Sequence, residues 1–524
     1  MKTDTPRRLC LLPPRGVVAE LTGQGRQLCA DVRWQPPRVN ADAVGGYHVE
    51  RTTWWPGVPP VTRRLTDIPV SECSFRDEAV VADQVNEYRI IAVNRHFPAV
   101  LSPPSFPAAV YGFAFMRYEQ MLAELRALAA ENPSICRLVD AGPSAGRGLR
   151  IWCMVLGEDT SDQPDLPGVL FIGNAHASEV EGGDACMGVI REIIRRHRED
   201  DPTVRDVLAR VQVRIIPLHN PYGRQANERG FAGAVRKNHP GKLLEPPVDP
   251  LDITDCWPAD TTPGTDPNRN FDAGWRYSGR PRDPASSTYP GDKPASAPET
   301  KAIMRMGYAL RPQISIHFHG PCGYPLVTDN WVDGTEPADR DMHYEVAYAF
   351  AELSAPLFTS EVPSLSPEPL ALAGEVSTTW FYKEFYGAHL LPEGFYEQVP
   401  YESRLLCVHG SGSLPELVAR DMDALLWMAR RVRGTGISVH VRGPSGRPLR
   451  ATVEVLGHMD PHCSPQQTDR RHGAYRRILS PGRYTLRIGS VGYFDQAVEV
   501  DVTADQTADV AITLQPEKRK GDVR

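Results

Sequence analysis

His176 and Glu179 stand three positions apart directly after an apolar run, in Gly168-Val-Leu-Phe-Ile-Gly-Asn-Ala-His176-Ala-Ser-Glu179. Imidazole nitrogen and carboxylate oxygen are borderline-to-hard donors that suit Zn²⁺, and a catalytic zinc takes three protein ligands, leaving its fourth position for water. The pair therefore reads as half a metal site with one ligand missing locally. Candidates for that ligand lie in Gln313-Ile-Ser-Ile-His-Phe-His-Gly320, where strand alternation turns Ile314 and Ile316 to one side and Ser315, His317 and His319 to the other. His317, close to the strand's end, can close a His, Glu, His set. His319 then orients a ligand from behind or faces solvent.

The run before His176 reads as a buried strand, and Met187, Ile190 and Ile194 after Glu179 recur at helical spacing. The pair thus sits where a strand ends and a helix begins, which is where open α/β sheets place their sites. The same region continues this pattern. Leu122, Leu125 and Ala129 line one face of a helix that starts at Tyr118 and closes at Pro133; strands follow at 135–139, 149–155 and 211–218. A long segment, 237–265, is rich in Pro and Asp and lacks periodicity, so it belongs on the rim of the site. Upstream, residues 17–110 alternate like half-buried strands (Val32 and Trp34, Tyr47 and Val49, Tyr88, Ile90 and Ala92), closed by the Pro-rich stretch 101–107. Downstream, Ser413-Leu-Pro-Glu416 can cap a last helix with Val418, Met422, Leu425 and Ala429 on its apolar face, ending at Gly434. Short strands at 437–441, 451–456, 483–488, 497–502 and 508–514 complete the chain before a charged tail, 517–524.

Composition narrows the function classes. The balance of 58 basic and 65 acidic side chains gives a net charge of −7 without a long basic run, so no nucleic-acid partner is expected. The 10 cysteines show neither CxxC pairs nor a framework spacing, which argues against a disulfide scaffold. Prolines break the N-terminal apolar stretch and no run is long enough to span a bilayer, so a soluble, cytoplasmic protein without a membrane partner is expected.

Several separate stretches, in order, resemble the zinc carboxypeptidases of the carboxypeptidase A type. They are Gly-Asn-Ala-His176-Ala-Ser-Glu179, Asn220-Pro-Tyr-Gly223, Thr265-Asp-Pro-Asn-Arg-Asn-Phe-Asp-Ala-Gly274, Tyr289-Pro-Gly, Pro298-Glu-Thr300, Ser315-Ile-His317, and Thr379-Trp380 followed by Tyr386-Gly-Ala-His-Leu-Leu-Pro-Glu393. The resemblance runs from about Tyr118 to Val432. It implies one Zn²⁺ per chain on His176, Glu179 and His317, with Glu393 as general base; Glu384 and Glu397 are rival carboxylates. It also implies Arg236 as the oxyanion stabiliser, Asn268 and Arg269 as the grip on a free C-terminal carboxylate, and Asp266 as the group that orients His176. Two departures weaken that grip: Ser178 replaces a substrate-contacting arginine, and Ala371 falls where the family has a capping tyrosine. Thr378 stands at the position that helps set side-chain preference; it is small and neutral, so it names no substrate.

Residues 17–110 resemble a fibronectin type III sandwich, and the region around Pro481-Gly-Arg-Tyr-Thr-Leu resembles the transthyretin-like sandwich of regulatory carboxypeptidases. The expected organisation is multidomain: a tail (1–16), a first β-sandwich (17–110), an α/β zinc carboxypeptidase core of mixed sheet and helices (111–434), a second β-sandwich (435–516) and the tail. The expected activity removes residues from the C-terminus of peptides that carry a free carboxylate. Alternatives are an amidohydrolase of the same fold acting on cell-wall peptides or N-acyl amino acids, and an inactive core used as a binding module.

Overall fold

The computed structural model describes residues 11–23, 27–55, 58–82, 84–112, 115–146, 148–176, 179–228, 236–238, 264–275, 282–319, 322–326, 337–354, 376–386, 388–395 and 414–517. Two compact units are present, one built chiefly from residues up to Arg117, the other from Tyr118–Arg224, Val235–Leu243 and Ala259–Arg524.

In the first unit, β1 (Arg15–Thr22), β2 (Cys29–Gln35) and β5 (Ser74–Asp77) form one antiparallel sheet. A second contains β4 (Val58–Arg64), β3 (Val44–Trp55), β6 (Val85–Asn94) and β7 (Ala108–Tyr111), in that order. Alternation is the cause: Val32 and Trp34 of β2 are buried while Arg33 between them is exposed. Trp34 meets Tyr47 of the other sheet edge to face at 5.4 Å between ring centroids. The buried Asp77 accepts from Arg51 at 2.6 Å and from the Tyr88 hydroxyl at 2.8 Å, so its charge is paired as well as desolvated.

The second unit holds a seven-stranded mixed sheet of order β13-β14-β12-β10-β11-β9-β8. Its strands are β8 (Cys136–Pro143), β9 (Arg150–Leu156), β10 (Gly168–Ile172), β11 (Gln212–Ile216), β12 (Ile314–His317), β13 (Cys322–Leu326) and β14 (Ala388–Phe395). The central four, β14, β12, β10 and β11, run parallel. β10 and β11 are buried at every position: β10 is wholly apolar, whereas β11 buries Gln212 and Arg214, whose guanidinium donates to Gln212 Oε1 at 2.8 Å and the Asp162 carbonyl at 2.7 Å. Helices cover the sheet. Tyr118–Glu131 turns Tyr118, Met121, Leu122 and Leu125 inward, and Pro298–Leu310 buries Ala302, Ile303, Met306 and Leu310. Leu170, Ile172 and Ile216 share a core with Ile303, Met306, Trp380 and Phe381, each such side chain contributing about 1.5–3 kcal/mol by leaving water.

Helix Glu181–Arg198 follows β10 toward β11, whereas β12 lies on the other side of β10. Strand order therefore reverses between β10 and β12, and a reversal of this kind opens a crevice at the carboxyl ends of the strands.

The last part of the unit carries two three-stranded sheets, β17 (Ala474–Ile478), β15 (Gly436–Arg442) and β20 (Thr507–Thr513), then β16 (Thr452–Val455), β18 (Gly482–Gly489) and β19 (Gln496–Val502). Their inner faces share Val439, Val453, Tyr475, Leu486 and Ile488. These sheets belong to the same compact unit as the α/β core, and charged residues make the join. The buried Arg477 of β17 donates to both Asp339 oxygens at 2.9 Å, and its guanidinium carbon lies 3.8 Å from the centroid of the Tyr386 ring. The Asp460 N–H donates to the Tyr386 hydroxyl at 2.8 Å. Among the described residues no helix is long and apolar enough to cross a membrane.

Candidate metal centre

Two glycines let the strand end and the helix start meet. A side-chain carbon on Gly173 would come 2.5 Å from the Gly182 carbonyl oxygen, and one on Gly182 would come 2.5 Å from Phe318 Cβ. Between them Asn174 takes φ 51°, a left-handed conformation that asparagine tolerates. Its amide nitrogen donates to the His176 carbonyl at 2.6 Å and the Glu179 carbonyl at 3.1 Å, fixing the ends of the turn. The buried Arg224 then donates to the Val180 carbonyl at 2.7 Å and pairs with Asp184, clamping the helix start. None of these supports was singled out from the sequence. Asn174 lies inside the Gly-Asn-Ala-His stretch, which was the available signal; Arg224 and Asp184 carried none.

On this frame three buried side chains converge: one ligand atom from each of His176, Glu179 and His319 lies within 4.8 Å of the others. His176 Nδ1 is 2.6 Å from Glu179 Oε1, while His319 Nδ1 is 3.1 Å from His176 Nδ1 and 2.8 Å from Glu179 Oε2. The third member is thus His319, where His317 was expected. Ile172 at the end of β10 pairs with His317, level with it in the sheet, and the turn bearing His176 begins only beyond that level. Two further residues of extended chain rise about 6.6 Å and carry His319 to the turn. His317 Nε2 instead meets Ser315 Oγ at 2.8 Å, and its ring stands edge-on to Phe381 at 5.1 Å.

Around the cluster, His176 Nε2 lies 3.1 Å from Asp266 Oδ1, and Arg236 Nε donates to Asp266 Oδ2 at 3.0 Å. Arg236 Nη1 is 3.7 Å from Glu179 Oε1, so this buried guanidinium abuts the cluster. Asn268 has both amide atoms engaged: Nδ2 lies 3.3 Å from His319 Nε2, and Oδ1 accepts from the Ser377 N–H at 2.9 Å. Arg269 donates to the Asn268 carbonyl at 2.9 Å. Thr378 is fully buried next to Ser377 in the helix Ser377–Phe385, and among the described residues its hydroxyl has no hydrogen-bond partner. Glu393 pairs through its backbone with Tyr324 across β13 and β14; its side chain, like Ser178, Ala371, Glu397 and 239–263, lies outside the described residues. Glu384 is committed elsewhere, accepting from the Tyr308 and Ser464 hydroxyls at 2.9 and 2.8 Å.

The charges are strongly coupled. Burial alone would raise the Glu179 carboxyl, but the two facing imidazoles hold it well below the usual range. Burial likewise opposes ionisation of Asp266, and Arg236 with His176 outweighs it. Burial and Arg236 pull His176 down, yet Glu179 and Asp266 leave it raised. His219, which the sequence reading passed over, is pushed down to about 3 by burial and by His319 and His176.

The donor set suits a divalent cation. Two Nδ1 atoms face each other at 3.1 Å, so one must carry a proton unless a cation takes both lone pairs. Glu179 Oε2 is buried without an aligned hydrogen bond despite its 2.8 Å approach to His319. Two nitrogens and a carboxylate match zinc, and the Asp266 contact to His176 Nε2 favours the tautomer whose Nδ1 lone pair is available. Ligation through His319 Nδ1 moves that ring's proton to Nε2, so Asn268 must turn its amide oxygen there and give up the bond from the Ser377 N–H.

A family model of zinc carboxypeptidases (Peptidase M14) matches residues 121–382. The zinc carboxypeptidase of Saccharothrix mutabilis subsp. capreolus is 26% identical over 175 residues, covering 33% of this chain and 36% of that protein. Carboxypeptidase D of Rattus norvegicus is 24% identical over 504 residues, covering 90% of this chain and 32% of its own length. The crystal structure of carboxypeptidase A from Helicoverpa armigera aligns with a TM-score of 0.48 at 18% identity, covering 60% of this chain and 73% of that one. The chain spans about a third of the length of the first curated relatives it matches.

Proposed function

Because the chain belongs to the zinc carboxypeptidase family, we propose that it removes residues from the C-terminus of peptides, with one zinc held by His176, Glu179 and His319. The observation that carries this reading is the convergence of two imidazole Nδ1 atoms and a carboxylate at the switch point of the sheet. Held by these residues, zinc would supply Lewis acidity for the scissile carbonyl and would lower the pKa of a water to about 7. The chain's own groups do the rest. Asp266 holds the His176 ring through Nε2, and Arg236, itself fixed by Asp266, places positive charge where the substrate oxygen becomes negative. Glu393 is the base that takes the water's proton and passes it to the leaving amine. Arg269 grips the terminal carboxylate, for which a planar guanidinium is suited. Asn268 serves His319 as well as that carboxylate. Thr378 sits at the side-chain pocket. In this reading the two β-rich regions are fibronectin type III-like and transthyretin-like modules that space or present the core.

Metal analysis together with mass-spectrometric profiling against a peptide library tests the proposal. Expected are about one zinc per chain and stepwise loss of C-terminal residues from free-acid peptides, with amidated peptides poorly cleaved. Equal cleavage of amidated peptides at internal bonds, or turnover of N-acyl amino acids alone, would replace the exopeptidase with the amidohydrolase reading.

A further inference from the structure

Away from the metal centre, a cleft with about 60 Å³ of free space lies where the α/β core meets the C-terminal sheets, lined by Leu166, Tyr308, Arg311, Gln313, Tyr475 and Arg476 among others. A water needs roughly 10–15 Å³ of such space, so the cleft holds several waters or one small ion. Arg311 dominates its electrostatics. It follows the helix Pro298–Leu310 at φ 55°, a left-handed position usually given to glycine or asparagine. Its side chain donates to the Gln467 carbonyl, and no described carboxylate lies within ion-pair distance of it. Burial holds its pKa below the ordinary arginine value, the sign of a charge that has lost water.

The other charges of the cleft are spent. Arg476 is paired with Asp165 at 2.6 Å. Asp469, the one carboxylate in the lining, acts on Arg311 only through space and accepts from the N–H groups of Arg471, His472 and Ala474 at 2.8, 2.6 and 2.8 Å. Tyr475 is buried, and its hydroxyl lies beside the Arg477 guanidinium without an aligned hydrogen bond among the described residues. A desolvated guanidinium without an ion pair among the described residues and a buried hydroxyl without an aligned hydrogen bond both line one small cleft, and one anion answers both needs.

We propose that this cleft binds a small oxyanion, held by the Arg311 guanidinium and the Tyr475 hydroxyl, which ties the end of the helix Pro298–Leu310 to β17. Phosphate, sulfate and a carboxylate share the required chemistry.

Thermal unfolding of the full chain in sodium chloride, phosphate, sulfate and acetate at equal ionic strength tests it, with wild type, Arg311→Gln and Tyr475→Phe side by side. At least one oxyanion should raise the wild-type midpoint saturably, by roughly 3–8 °C near saturation, and the best of the three identifies the source. Tyr475→Phe should weaken that binding about 2–10-fold, and Arg311→Gln should abolish the saturable shift. Sulfate and phosphate also stabilise proteins by exclusion from the surface; equal, unsaturating shifts in all three proteins would mean an adventitious ion only and overturn the site. Should Arg311→Gln not fold, phosphorus NMR of inorganic phosphate decides: line broadening that is undiminished with Tyr475→Phe refutes the proposal.

Discussion

His317 and His319 are chemically identical and two positions apart, so only the height of the sheet at which each sits separates a member of the buried His176–Glu179 cluster from a packed histidine. His319→Ala should lower zinc affinity more than 100-fold, beyond the ~10–100-fold typical of losing a ligand's outer partner. His317→Ala should keep the metal and lose about 1–3 kcal/mol, the cost of vacating its place on Ser315 and Phe381. Competition with a chromophoric chelator reads both; a His317→Ala protein without zinc would reverse the assignment. Asp266→Asn should sit between them, at about 10–100-fold weaker metal binding. The sequence made His176, Glu179 and Asp266 legible because they lie in short contiguous stretches. It named His317 as the third ligand where the structure gathers His319, because alternation gives a face and not a height.

Glu299 behaves differently again. Its buried carboxylate accepts from Ser144 Oγ at 2.7 Å, Ala145 N–H at 2.5 Å and Asn238 Nδ2 at 2.6 Å, and Asn238 Oδ1 in turn accepts from Thr265 N–H at 2.7 Å. It thereby braces the neighbours of both Arg236 and Asp266. Burial raises its pKa despite those donors. A carboxyl raised on folding contributes stability below its ordinary value of about 4.3 and loses it as pH rises through the raised one. Glu299→Gln turns a donor toward Asn238 and should cost about 1–3 kcal/mol. The gap to wild type should narrow between pH 4 and 7 in urea denaturation; a gap that widens with pH contradicts the sign.

At the level of elements, the joint closest to the site is the contact of β10's end, the helix Glu181–Arg198 and Phe318 through Gly173 and Gly182. Gly182→Ala should cost about 1–3 kcal/mol by overpacking. Because Phe318 lies directly before His319, it should also weaken zinc binding, measured by denaturant midpoint and metal competition on one sample. A loss of stability with unchanged metal affinity would separate the joint from the site. Buried central strands and amphipathic helices were plain in the sequence, since β10, β11 and the helix at Tyr118 carry their apolar pattern locally. Strand β17, Ala474-Tyr-Arg-Arg-Ile, was not. Its two arginines read as surface, and Arg477 is buried only because Asp339, more than a hundred positions upstream, is there to meet it.

The whole second unit is tied by that pair. Arg477→Met removes one partner of a buried ion pair and leaves the Asp339 charge stranded, which should cost about 3–5 kcal/mol. Adding Asp339→Leu should recover part of the loss, as judged by urea unfolding; a double variant no more stable than the single one would show that the pair is not the link. The sequence reading set a boundary at Gly434, where a helix ends and short strands begin, and a local pattern of that kind carries no record of the contacts across it.

The same join bears on synthesis. A chain leaves the ribosome from its N-terminus, so the α/β core up to Gly434 emerges before β17 exists to cover Tyr386 and neutralise Asp339. At about 5–20 residues per second, the stretch from Gly434 to the end of β17 takes on the order of 2–9 s to follow. For that interval the nascent core presents an aromatic face and an unpaired buried-to-be charge, a natural surface for a chaperone to hold.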